Sequence, residues 1–517
     1  MNRLKFLPII VLIIVSCGDD ASKKSEKKNS IDSETDYSFQ SKAVQLISNE
    51  ENIMLYGSIK MNQILTKGLF NSKMGESSLI KEGQKELDKL AEAINMNAPL
   101  YYAVQMGDNA QEPGVLLFGK TEDHKKFIDI LEEQNPYLDK EESNNYSIIT
   151  DGDIAAGIGK EEFVIKVNPD RNAKKEINKL MTSLQSEKTN ANIESIFSKS
   201  KDFTMAYNLK TLIKMIEKTN PEIQQIYSGN DYLYDQLETA AMDLSFEKGA
   251  IKLIYSFVWG DELKEFNFYK DNSNDVVAQL GTGEPVAAFA ANIDVEKIEA
   301  FRKKYAAPGI IESFENSGID NIEEMIPNEL IVAEALMDKD GIKSFIDGRF
   351  GAAVFMNEDN ELGIPEFNFL AGIGPNLANM IREGIEEFAE MEMFVSMMNQ
   401  FTVNDEIVSG YSSKQHAPDG KRTLITDKFQ DFGKKPFSAF VDFSKIPKEG
   451  LLTGIDRSLS DFEQFLDIID AMTMEFDMSG GHMTIYTKDP NKNALTYIMD
   501  RMSEMISNMP ALLLNSI

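Results

Sequence analysis

The side chains from which most catalytic and metal chemistry is built are scarce in this sequence. Its 517 residues hold three histidines, His124, His416 and His482, and one cysteine, Cys17. The histidines fall in different expected elements, with no His-x-x-His or Glu-x-x-His spacing, whereas a zinc or iron site usually recruits two or more His or Cys ligands. Each is read as a surface or hairpin residue. A serine nucleophile would need one of them as its base, and no Gly-x-Ser-x-Gly elbow occurs. The run GTGEP (281–285) precedes a strand. A phosphate loop instead follows a strand, opens a helix and carries Gly-Lys-Ser/Thr, so this run reads as a turn. No catalytic residue is assigned.

Oxygen chemistry remains. MNEDNELG (356–363) sets Asn357, Asp359 and Glu361 at alternate positions, and TDGDIAAG (150–157) offers Asp151 and Asp153. Calcium takes several oxygen ligands at short spacing, which makes Asn357, Asp359 and Glu361 the candidate cation ligands. Neither stretch matches an EF-hand, and Asp, Asn and Gly are also what a hairpin turn requires. The expectation is therefore a turn, with no bound cofactor. A pair of carboxylates could serve a hydrolase, but 84 acidic residues single out no pair. Met499, Met502, Met505 and Met509 recur at helical spacing. They form either a core-facing stripe or an apolar groove that conforms to a lipid or a peptide.

Cys17 has a more specific reading. Arg3 and Lys5 precede an apolar run from Phe6 to Val15, about half the length that spans a bilayer as a helix. Residues 1–16 thus read as a signal peptide, and Ile14-Val15-Ser16-Cys17 resembles the lipobox of bacterial lipoproteins. That resemblance implies a diacylglycerol thioether on Cys17, which would become the first residue of the mature chain. A lone thiol in a secreted protein is otherwise an oxidisable liability; here lipid consumes it. Gly18-Asp19-Asp20 resembles the acidic export signal that follows the lipidated cysteine in surface lipoproteins of Bacteroidetes. Residues 18–36 hold one large apolar side chain, Ile31, and cannot bury enough surface to order themselves. Residues 18–36 thus form a tether with a coil reach on the order of 25 Å, and the lipidated Cys and its tether are expected to span 17–45.

Removing residues 1–16 takes away two cations and no acid, so the formal charge goes from −31 to −33. Such charge opposes nucleic acid and anionic lipid. The hydrophobic content of 42% is ordinary for a globular protein, and the length exceeds a single core.

Four segments share an apolar strand, a polar residue and an amphipathic stretch. They are NIMLYGSIKMNQILTKG (52–68), DFTMAYNLKTLIKMIEK (202–218), PVAAFAANIDVEKIEAF (285–301) and PFSAFVDFSKIPKEGLL (436–452). The starts at 52 and 285, and at 202 and 436, set two copies apart by about 234 residues. The hairpins AMDLSFEKGAIKLIYSF (241–257) and TMEFDMSGGHMTIYTKD (473–489) repeat at nearly the same offset. Their turns are placed at Lys248-Gly249 and Gly480-Gly481. Further hairpins over 99–120 and 350–374, strands over 146–168, and helices over 121–134, 172–187, 207–218, 376–400 and 491–507 complete the pattern.

The expected fold class is α+β: two duplicated halves of β-α-β-β-α units, mostly antiparallel sheets with helices packed on one face. The first repeat domain would span 46–275 and the second 285–517, with a polar seam near 271–284. The lipobox, the repeated strand-then-Asn/Asp/Lys unit and the length together resemble a group of uncharacterised Bacteroidetes lipoproteins known as a domain of unknown function. That resemblance implies an outer-membrane lipid anchor and no catalytic residues. The expected role is non-enzymatic binding or scaffolding of a protein, glycan or lipid at the cell surface. The alternatives are a carboxylate-dependent hydrolase and a periplasm-facing lipid-binding or assembly factor.

Overall fold

The computed structural model describes residues 37–508 apart from 77, 106–112, 144, 153, 168–171, 187, 220–235, 306–336, 357–364, 388–392, 394, 397, 419–422, 425, 427 and 447–465. The fold is α+β, built on antiparallel strands. Packing divides the chain into two compact units that alternate along the sequence. The first holds residues up to Met215, Thr239–Leu253 and the residues from Asp489 on; the second holds Ile216–Glu238 and Ile254–Lys488.

The strands of the first unit are β1 (Ile53–Ile59), β2 (Leu100–Gln105), β3 (Gly114–Lys120), β4 (Asp139–Glu142), β5 (Tyr146–Thr150), β6 (Ile154–Gly159), β7 (Glu162–Val167), β8 (Phe203–Asn208) and β9 (Leu237–Glu247). Their order across the sheet is β4-β5-β6-β7-β3-β2-β1-β8-β9, every neighbour antiparallel. Strand β9 turns at Lys248-Gly249 into β10 (Ala250–Trp259), as the sequence suggests, and Gly249 supplies the positive φ of the turn.

Helix α1 (Tyr37–Asn49) buries Phe39, Ala43, Val44, Leu46 and Ile47. This corrects the expected tether: residues 37–45 are helical, because their apolar side chains recur at helical spacing and find the sheet. Phe39 stacks on Phe118 of β3 at 4.7 Å. Helices α2 (Met61–Leu65) and α3 (Ser78–Ala91) follow β1, and α4 (His124–Gln134) follows β3. Helices α5 (Ala173–Ser183) and α6 (Ala191–Ser198) join α1 on one face of the sheet, where Ile177, Leu180 and Phe197 meet Ile148, Ala155 and Val164. On the other face α4 places Phe127, Ile128 and Leu131 against Ile149, Ile158 and Phe163. Helices therefore cover both faces at β5–β7, which departs from the single covered face expected. The cause is visible in the strands: Ile148-Ile149 and Phe163-Val164 are apolar at consecutive positions, so each face needs a cover.

The second unit contains β11 (Thr282–Gly283), β12 (Ala287–Asn292), β13 (Ile346–Phe355), β14 (Glu366–Ile373), β15 (Gln400–Val403), β16 (Ile407–Tyr411), β17 (Thr423–Leu424), β18 (Phe437–Asp442), β19 (Ile469–Asp477) and β20 (Gly480–Thr487). The main order is β15-β16-β14-β13-β12-β18-β19-β20, all antiparallel; β11 and β17 form a separate parallel pair. In each unit the first long strand in sequence lies inside the order, between the first strand of a hairpin on one side (β2 or β13) and a later strand on the other (β8 or β18). The four repeated segments are those central strands, β1 beside β8 and β12 beside β18.

The polar residue after three of these strands has a common task. Asn208 Oδ1 accepts from the N–H of Thr211 at the start of α7 (Leu209–Thr219) at 3.1 Å. Asp442 Oδ1 accepts from Ser444 at 3.2 Å, and Asp294 Oδ1 accepts from Lys297 at 3.2 Å. Each satisfies an amide that the following helical turn leaves unpaired.

The expected seam is not a linker. Asn274–Val277 forms a short helix, α8, whose Val276 and Val277, with Leu280, are fully buried in the core of the second unit. Helix α9 (Val295–Tyr305) follows β12, and α10 (Pro375–Glu387) follows β14. The last helix, α11 (Ala494–Asn508), packs in the first unit, where Thr496 donates to the carbonyl of Lys67 and Asp500 accepts from the N–H of Lys73 at 2.5 Å.

Candidate binding site

In the second unit β18, β19 and β20 lie side by side, and their register sets rows of side chains on one face. Ser438 faces Glu475, which faces His482. The next row is Phe440, Thr473 and Thr484. The irregular segment 428–434 crosses this face, with Phe429 stacked on Phe440 at 4.3 Å and Phe432 edge-on to it at 5.0 Å. These contacts leave a cleft of about 90 Å³ next to them, lined by Glu475, His482, Thr473, Thr484, Tyr486 and the 428–432 segment.

The charges around the cleft are unevenly matched. Lys428 Nζ reaches Asp470 at 2.9 Å and Asp442 at 3.2 Å. Burial works against its charge, but these carboxylates outweigh it and hold its pKa above that of an ordinary lysine. Asp431 pairs with Lys434. Glu475 is 12% exposed, and His482 Nε2 stands 3.6 Å from it, too far for a hydrogen bond. Burial pushes the Glu475 carboxyl above the usual range, and Asp431 adds to the shift against the opposing pull of His482, Lys435 and Lys434. A proton-avid carboxyl beside an imidazole can exchange a proton with a bound group or accept its hydrogen bond.

The first unit carries a related row. Ser58 of β1 faces Thr204 of β8, which faces Asp243 of β9. Thr204 Oγ1 donates to Asp243 Oδ1. Burial raises the Asp243 carboxyl, with the Thr204 hydrogen bond and Lys201 acting against the shift. Nearby, Asp202 is 2% exposed and accepts from Lys67 Nζ at 2.6 Å and from the N–H of Phe246 at 2.7 Å. Burial lowers Lys60, whose Nζ donates to the carbonyl of Ser200 at 3.1 Å. Here every named acid has a donor.

The residues singled out in the sequence fall elsewhere. Cys17, Gly18, Asp19 and Asp20, the candidate ligands Asn357, Asp359 and Glu361, and Met509 lie outside the described residues. On α11 the buried residues are Ala494, Thr496, Tyr497 and Asp500; Met502 is 42% exposed and Met499 half-buried, so they flank the buried face. Met505 lies on the same helix. Among the described residues no three His, Cys, Asp or Glu side chains are grouped to hold a metal ion, and no helix is long and apolar enough to cross a membrane.

His416 is buried, stacked on Phe355 at 4.0 Å with Nδ1 2.8 Å from the carbonyl of Thr282. His124 opens α4 after the cap Asp123. His482 was expected in a hairpin and is there, but its pairing with Glu475 was not. A turn at Gly480-Gly481, as the sequence suggests, would set Glu475 opposite Tyr486. The turn is Met478-Ser479, between Asp477 and Gly480, and that shift brings His482 to Glu475. Asp477-x-Ser479 was the overlooked signal: Asp477 Oδ1 accepts from the N–H of Ser479 at 2.8 Å, which closes an Asx turn.

No family model matches the chain, and no curated protein does. Among solved structures it is similar to TP0453. Crystal form IV shows 8% identity over 41% of this chain and 79% of that one, with a TM-score of 0.26. Crystal form III shows 9% identity over 44% and 87%, with a TM-score of 0.27. At such scores the likeness transfers neither fold nor function.

Proposed function

We propose that the chain is a lipid-anchored protein of the cell envelope, displayed on the outer-membrane surface, with a binding or scaffolding role and no catalytic one. The observation that carries this reading is Ile14-Val15-Ser16-Cys17, a lipobox around the chain's single cysteine, after a basic segment and a short apolar run. Two or three acyl chains hold a protein to a bilayer where one does not, since each buried CH₂ contributes about 0.8 kcal/mol. The Gly18-Asp19-Asp20 run supports the outward-facing side and the resemblance to Bacteroidetes lipoproteins. The matching strand orders of the two units support an ancestral duplication of the binding body. The anchor is tested by feeding cells an alkyne-tagged fatty acid. The protein should take up label, and Cys17→Ser should take up none; labelled Cys17→Ser would end the reading.

A second reading, a carboxylate-dependent hydrolase, draws on Glu475 and His482. It requires turnover by the purified protein that Glu475→Gln abolishes.

A further inference from the structure

The cleft on β19 and β20 contains one carboxylate whose hydrogen-bonding capacity is unused. The other charges that line it are matched: Lys428 lies between Asp442 and Asp470, and Asp431 meets Lys434. Glu475 receives no hydrogen bond from any described residue, and His482 Nε2 stands 3.6 Å away. A carboxylate removed from most of its water is costly unless a donor is supplied. Glu475 lines the cleft, so a group bound there can supply that donor. The cleft's remaining lining includes the rings of Phe429, Phe440 and Tyr486, the hydroxyls of Thr473 and Thr484, and the amide of Gln430. Aromatic faces attract a cation, hydroxyl oxygens accept its N–H groups, and a carboxylate forms with it a charge-assisted hydrogen bond.

The same lining discriminates against other ligands. An anion would be placed against Glu475 and beside Asp431. An apolar group would leave Glu475 desolvated and unpaired. A neutral hydroxyl could donate one hydrogen bond but would leave the charge unmatched. We infer that this cleft binds a small ligand through a primary ammonium group, with Glu475 as its counter-ion. The inference deepens the binding role proposed above and does not depend on the lipid anchor. Its failure therefore leaves the labelling of Cys17 untouched, and a failed labelling leaves the cleft untouched.

The test uses the full chain in detergent, with ethanolamine and ethylene glycol as probes of equal size that differ in charge. Titration calorimetry and saturation-transfer NMR should show saturable binding of ethanolamine, and ethylene glycol at least tenfold weaker. Glu475→Gln keeps the side-chain shape and removes the charge; it should cost about tenfold or more in affinity, which corresponds to about 1.4 kcal/mol. Asp243→Asn, in the sealed row of the first unit, should leave ethanolamine binding unchanged. Equal binding of the two probes, unchanged binding by a folded Glu475→Gln protein, or no saturable binding of ethanolamine would each overturn the proposal. Circular dichroism and thermal melting of both variants separate a lost site from a lost fold.

Discussion

In the first unit Thr204 donates to Asp243; in the second unit the residues at the same register, Ser438 and Glu475, make no such bond. Both carboxyls are pushed upward by burial. The difference lies in one methylene and in the cover. Asp243 is short enough to stay within reach of the hydroxyl across the strand, and helix α6 packs over the adjacent residues of its sheet, with Phe197 edge-on to Tyr56 at 6.0 Å. Glu475 extends along the sheet toward His482, and its cover is an irregular segment that leaves a cleft. Similar rows thus yield a closed structural pair in one place and an open polar site in the other. A site on such a scaffold is made by uncovering a row as much as by adding residues to it.

Substitutions in the two rows and at the cover test this contrast. The largest effect is expected at the cover. Phe429 is 7% exposed and stacked on Phe440, so Phe429→Ala should lower stability by about 3–5 kcal/mol, read by denaturant unfolding, and should enlarge the cleft. Next comes Thr204→Val. It preserves shape but removes the side-chain donor to Asp243 and leaves this buried carboxyl only its backbone hydrogen bond from Lys201, at a cost of about 1–3 kcal/mol. Ser438→Ala is the counterpart with the opposite expectation. The Ser438 hydroxyl is fully buried and has no hydrogen-bond partner among the described residues, so its removal should change stability by less than about 0.5 kcal/mol or raise it. Equal losses for Thr204→Val and Ser438→Ala would erase the distinction.

The pH dependence of Asp243 follows from its direction of shift. A carboxyl raised above 3.8 in the folded state binds its proton more readily there than in the unfolded chain. The resulting stability is fully present below pH 3.8 and is lost as pH rises through the raised value. Asp243→Asn cannot titrate. Its stability relative to the natural protein should therefore rise across that window and then level off, measured by urea unfolding from pH 3.5 to 7. A flat difference would show that Asp243 is not strained by burial.

The strand framework was legible because hydrophobic period and turn chemistry are local. The β9–β10 turn lies at Lys248-Gly249, as expected; helices α4 and α5 fall within the stretches that sequence pattern marks, and α7 and α11 overrun theirs by one residue. What local pattern could not show was which surfaces meet. The apolar spacing of Phe39, Ala43, Val44 and Ile47 sits against a polar leader and was absorbed into the tether. Val276, Val277 and Leu280 lie in a polar context that hid their burial. The cleft was missed by a two-residue displacement of one turn, which in a hairpin re-pairs every residue along both strands. Packing of α11 with the first unit depends on contacts such as Lys73 with Glu504, 431 residues away, beyond any local pattern.

The account rests most heavily on where the body stands relative to the outer membrane. Protease treatment of intact native cells, followed by blotting for this protein beside a periplasmic control that must survive, tests that directly. Loss of the protein from intact cells, with Cys17→Ser protein absent from the surface, is the predicted result. Survival of the protein until the outer membrane is opened would contradict surface display and turn the reading toward a periplasm-facing lipid-binding or assembly role.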